Sequence, residues 1–135
     1  MTPQNTALLL IGFQNDYFSP EGILHGVIEA SAKAVKTVEN TTKLVQELVK
    51  TPISIISTPI FFTTDYTELV EPVGILKTIK EVGAFKKGTT GSETIEELRP
   101  FQDDILEIPG KRGFNAFINT NLDDVLKQKG ITHLV

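Results

Sequence analysis

The sequence predicts an α/β fold built on a parallel sheet. Two patterns carry that expectation. Apolar stretches such as Ala7–Ile11 (ALLLI) run without alternation, as strands buried on both faces do. The segments then alternate as strand, helix, strand, loop with short helix, strand, helix, strand, the order that right-handed crossovers between parallel strands require. The 135 residues suit one domain or part of one, and 40 % hydrophobic with 22 % charged residues is ordinary globular composition.

Each element has a local reason. The strand Ala7–Ile11 is stopped by Gly12. A helix is expected over Ser31–Lys50, where Val35, Val38, Val45, Leu48 and Val49 recur near helical spacing and Pro52 follows. Ile53–Ser57 is the second strand and Thr58–Tyr66 a loop with two consecutive phenylalanines. Glu71–Thr90, broken by Pro72 and rich in glycine, reads as a long irregular connection with a helical turn, a kind of loop that is often functional. Ser92–Leu98 reads as a short helix capped by Ser92 and followed by Pro100. Asp104–Ile108 is the third strand. Asn121 opens the next helix, with Asp123 and Asp124 in its first turn, Lys127 and Lys129 in its last and Gly130 beyond. Ile131–Val135 is the fourth strand.

The net charge of −4 argues against a general affinity for nucleic acid or an anionic membrane, because Lys86-Lys87 and Lys111-Arg112 are too short to form a basic patch. There is no cysteine, so these residues hold no disulfide, thiolate metal site or thiol nucleophile. No apolar run approaches 18 residues and no secretory signal is recognised, so the expected location is cytoplasmic. Asn40-Thr41-Thr42 matches a glycosylation sequon, without meaning in a cytosolic helix.

In an open parallel sheet the ligand crevice lies at the carboxyl ends of the strands. Gly12-Phe13-Gln14-Asn15-Asp16-Tyr17-Phe18 follows the first strand there. Asp16 could serve as a base, although an Asn-Asp pair after a strand more often makes turn hydrogen bonds. Tyr17 and Phe18 could line a pocket or pack in the core. Lys111, after the third strand, could hold an anion or stabilise a thiolate or carboxylate, and could equally be a solvated loop lysine. Gly88-Thr89-Thr90-Gly91-Ser92 has the look of a phosphate cradle but lacks the Walker lysine. His25 and His133 are far apart, and no spacing supports a metal.

Several segments together resemble the isochorismatase-like cysteine hydrolases: Leu8–Phe18 (LLLIGFQNDYF), Ser57–Tyr66 (STPIFFTTDY), Gly88–Glu93 (GTTGSE), Glu97–Pro100 (ELRP), Lys111–Phe117 (KRGFNAF), Thr120–Leu126 (TNLDDVL) and Gly130–Val135 (GITHLV). The resemblance runs through nearly the whole chain in the family's order. It implies a three-layer, Rossmann-like α/β/α sandwich on a six-stranded parallel sheet, of which residues 1–135 would supply the N-terminal two thirds, without the last strands and helices. A small four-stranded protein is the other reading.

The resemblance further implies a triad of an Asp after strand one, a Lys after strand three and a Cys after strand four, cleaving an amide or related bond of a small molecule. Lys111 matches the lysine. Gly12 stands at the aspartate position, and the cysteine would fall beyond Val135. The aromatic candidates for binding are Phe18, Tyr66 and Phe117. Metal-binding relatives use Asp and His after strand two; Thr64-Asp65-Tyr66 offers one acid and no histidine, so neither metal nor other cofactor is expected. The expected activity is that of a small-molecule hydrolase left catalytically incomplete. The alternative is a non-catalytic relative that binds a small molecule or associates with itself. An apolar flank beside Ile131–Val135 predicts a homo-oligomer.

Overall fold

The computed structural model describes residues 1–135. Its sheet is all parallel and has four strands in the order β3-β2-β1-β4: β1 (Thr6–Ile11), β2 (Ser54–Thr58), β3 (Ile105–Glu107) and β4 (His133–Leu134). From β1 the chain moves outward to β2 and β3, then returns to lay β4 on the other side of β1. The reversal places a topological switch point at the carboxyl end of β1, where Gly12 stands.

Both faces of the sheet are covered, which explains the unbroken apolar strands. Leu8, Leu10 and Ile55 pack with Val45 of α3 (Thr37–Leu48) and with Ile95 and Leu98. On the opposite face, Ala7, Ile56 and Ile108 pack with Leu122 and Leu126 of α5 (Leu122–Gln128). The register Leu8↔Ile55 and Leu9↔Ile56 keeps each set on its own side. A third cluster closes over the carboxyl rim. In it Ile60, Phe62, Tyr66 and Phe85 meet Ile79 of α4 (Ile75–Val82).

The expected single helix over Ser31–Lys50 is two, α2 (His25–Ala34) and α3. The break falls at Lys36, which has φ +49, so Val35 ends 63 % exposed instead of on the core face. Asn40 Nδ2 donates to Val35 O (2.8 Å) and stabilises that turn. The connection expected to be irregular contains α4, whose Ile75, Leu76 and Ile79 face the rim cluster; Gly83, at φ +77, ends it in the left-handed region. In place of the short helix over Ser92–Leu98 there are two 3-10 turns, Thr90–Ser92 and Glu96–Phe101. Ser92 caps nothing forward, since its hydroxyl donates back to Thr89 O. Asn121 precedes α5 without a side-chain cap bond, and Asn15–Phe18 forms a helical turn (α1) absent from the sequence expectation.

Candidate active site at the carboxyl rim

Three segments meet beyond the carboxyl ends of the strands. The turn after β1 is tied to residues 90–95: Asn15 N donates to Glu93 O (2.9 Å), Asn15 Nδ2 to Thr90 O (2.8 Å) and Ile95 N to Phe13 O (3.2 Å). Gln14, 1 % exposed, is the main lock. Its Nε2 donates to Ile60 O (2.8 Å) and Ser92 O (2.7 Å), and its Oε1 accepts from Ile60 N (2.8 Å). Ile60, on the extension of β2, is in turn bridged in parallel to Lys111. The exit of β1 and Lys111 therefore flank the same short stretch of chain.

Asp16 is buried and anchors a different contact. Its Oδ2 accepts from Phe85 N (2.6 Å), and its carboxylate lies directly against Gly91, where a Cβ would collide with it. This bond spans 69 residues, so Asp16 fastens distant backbone as well as shaping its own turn. The same packing answers the phosphate-cradle pattern of Gly88–Ser92: an aspartate already occupies the space against Gly91.

Gly12 has φ +69, and a Cβ there would touch only the edge of the Tyr17 ring, at 3.7 and 3.8 Å. A larger residue has room. Asp and Asn are among the non-glycine residues that tolerate this backbone region best.

Lys111 is 5 % exposed. Its ammonium makes no hydrogen bond and no ion pair with any residue of the chain. The buried polar atoms left unpartnered are the hydroxyls of Thr42 and Thr58, so the Lys111 nitrogen keeps contact with solvent at the end of a buried stem. Burial holds its pKa below the ordinary lysine value of 10.5. The sign of the stability effect follows. The unfolded chain binds this proton more tightly than the native one, so stability rises with pH from the lowered native pKa towards 10.5. Lys111→Met is expected to raise stability at pH 7 by roughly 1–3 kcal/mol, a few degrees in Tm, with the gain shrinking in alkali. Thermal melts at pH 7 and 10 check both signs.

The aromatic candidates are dispersed. Phe18 stacks on Phe13, with centroids 5.0 Å apart, and lines a cleft of about 510 Å³ between α2 and α3 that includes neither Gly12 nor Lys111. Tyr66 is buried in the rim cluster, and its hydroxyl is spent on Ala84 O (2.6 Å). Phe117 is 43 % exposed. No group of three or more metal-ligating side chains occurs. No helix is long and apolar enough to cross a membrane. The role of Gln14 is not legible in the sequence because its partners lie 46 and 78 residues away; a lone amide at a strand exit is the only hint.

The family model of the isochorismatase domain matches residues 6–135. This chain belongs to the isochorismatase family. Among curated relatives it is 30 % identical to the ureidoacrylate amidohydrolase RutB of Rhizobium rhizogenes, over all of this chain and 59 % of that protein. It is 29 % identical to an Arabidopsis thaliana protein named "probable inactive nicotinamidase", over 98 % of this chain and 64 % of that one. Among solved structures, a cysteine hydrolase from Pseudomonas syringae pv. phaseolicola superposes with a TM-score of 0.76 at 19 % identity, over 99 % of this chain and 59 % of that one. An N-carbamoylsarcosine amidase from Thermoplasma acidophilum gives 0.70 at 26 % identity, over 97 % and 66 %. This isochorismatase-family chain thus has the α/β fold of its relatives and spans about three fifths of the length of the curated ones.

Proposed function

We propose that this chain carries part of a small-molecule hydrolase site that acts on an amide C–N bond, with Lys111 as its positive corner. The observation that carries the reading is an unpaired lysine on a buried stem, across the Ile60 stretch from the exit of β1, at the position matching the family's lysine. An ammonium in such a place stabilises negative charge on a thiolate or a developing oxyanion far better than it would in water. Relatives whose names specify amide cleavage support the bond type.

The site is catalytically incomplete over these residues. Gly12 has no proton to accept or give, and the 135 residues contain no cysteine. In a comparable triad, removing the nucleophile costs on the order of 10⁶-fold and removing the acid on the order of 10⁴-fold. Gly12 also favours a second reading, a relative that binds small molecules or self-associates without turnover. Ile11, Leu134 and Val135 are exposed at 49 %, 42 % and 67 % near the β1–β4 edge, which suits association between copies.

The test is ammonia release from ureidoacrylate, nicotinamide and simple aliphatic amides by the native protein, Gly12→Asp and Lys111→Ala. Native cleavage at or barely above background, raised by Gly12→Asp and returned to background when Lys111→Ala is added, is the expected result for the hydrolase. Binding that depends on Lys111 without turnover in any variant selects the second reading. Neither binding nor turnover overturns both.

A further inference from the structure

The sheet face that packs on α3 changes character within one step along the strands. Alternate residues of a strand share a face, and register partners on neighbouring strands share it too. On this face the row Leu8, Ile55, Ile105 is wholly apolar. The next row towards the carboxyl rim is Leu10, Ser57, Glu107. A hydroxyl and a carboxylate thus stand where the pattern calls for aliphatic side chains, and a polar group set into an apolar layer is costly unless something bonds it. No side chain or backbone group of the protein bonds either one. The hydroxyls sealed away without a partner are those of Thr42 and Thr58, so the Ser57 hydroxyl reaches open space. Ser57 and Glu107 both line a cavity of about 130 Å³, walled by Leu10, Leu98 and Ile105 and edged by Arg99 and Gln102. It adjoins a shallower hollow of about 340 Å³ that shares Arg99, Gln102 and Glu107 with it, which gives a solute a way in. Neither includes Gly12 or Lys111.

The charges there are placed to hold opposite ends of one molecule. Arg99 Nε donates to Thr94 O (3.3 Å) and Nη2 to Glu93 Oε2 (2.9 Å), which leaves Nη1 free. Glu107 shares the cavity with Arg99, yet the ion pair of Arg99 is with Glu93 and no cation lies within 4 Å of Glu107. A simple anion would answer Arg99 and sit beside an unpaired carboxylate. A simple amine would answer Glu107 and leave the guanidinium edge bare. We propose that this cavity binds a small α-amino acid of glycine or alanine size, with its carboxylate on Arg99 Nη1 and its ammonium on Glu107. The side chain lies against Leu10, Leu98 and Ile105, and Ser57 and Gln102 add hydrogen bonds to the two charged groups. Charge-assisted bonds of this kind are about twice as strong as neutral ones. At about 30 Å³ per water the cavity has room for roughly four waters, or for one such amino acid in their place.

The experiment titrates the full chain with glycine, L-alanine, acetate and methylamine and follows its backbone amides by NMR. Saturable shifts at Ser57, Arg99, Gln102 and Glu107 are expected with glycine or alanine below about 10 mM, within reach of a ligand of this size. Acetate and methylamine, which carry one charge each, should bind at least about tenfold more weakly. Glu107→Gln and Ser57→Val should each weaken amino-acid binding by about tenfold or more. Ser57→Val should do so with Tm unchanged or raised, because valine restores the apolar row; a serine kept for the fold would lower Tm instead. If Ser57→Val does not fold, Glu107→Gln decides, since its side chain is exposed at the cavity edge. No saturable shift with either amino acid overturns the proposal. So does acetate or methylamine binding as tightly as alanine, or an affinity unchanged in folded Glu107→Gln. The titration involves no turnover, so its result is independent of the hydrolase reading.

Discussion

Replacing Gly91 by alanine is expected to cost about 3 kcal/mol or more, and roughly 10 °C of Tm. The added carbon would sit inside van der Waals contact of all three outer atoms of the Asp16 carboxyl group. That carboxylate cannot swing away cheaply. Asp16 is buried, and its Oδ2 is the acceptor for Phe85 N. Moving it strands a buried amide and an unsolvated charge together, each worth about 1–3 kcal/mol. It also loosens the seam between the β1 turn and residues 90–95. Gly26→Ala is the matched control: nothing lies within 4 Å of its added carbon, and it is in α2, where alanine is favoured by up to about 1 kcal/mol. Urea unfolding of the two variants measures the contrast. A Gly91→Ala loss under about 1 kcal/mol would refute the packing of Asp16 described above.

Gln14→Ala should be the next most damaging change, also near 3 kcal/mol. It deletes three hydrogen bonds and leaves Ile60 N, Ile60 O and Ser92 O without these partners in a buried place. Its effect should travel. Ile60 is the residue bridged to Lys111, so freeing it lets solvent in around the lysine stem. The Lys111 pKa, held low by burial, should then climb towards its ordinary value. Nitrogen-detected NMR titration of Lys111 in native and Gln14→Ala protein reads that shift. A destabilised variant with an unmoved lysine would mean that the lock serves stability only.

Both predictions turn on polar residues whose importance the sequence scarcely advertises. Gln14, Asp16 and Gly91 lie in segments that carry the family resemblance, which makes their positions legible but not their contacts. The sequence leaves Asp16 as a base or a turn former; in the fold it holds Phe85 N across 69 residues. The helices show the same limit. Val35 fits a continuous helical stripe, yet the chain turns at Lys36, whose φ of +49 breaks the helix, and Asn40 Nδ2 holds the turn on Val35 O. α4 was hidden by the glycines around it, and its apolar face becomes visible only with the rim cluster it covers.

By itself the sequence determined the four strand positions, the parallel α/β class, the lysine after β3 and the glycine after β1. Unbroken apolar runs and short motifs are local signals, written in consecutive residues. The tertiary structure decided that Gln14 clamps Ile60, that Asp16 lies against Gly91, and that the Lys111 ammonium has a buried stem and no counter-charge. Hydrogen bonds across 46 and 69 residues, and the absence of an acid beside a cation, depend on where the chain returns in space. No periodicity along the chain records that return.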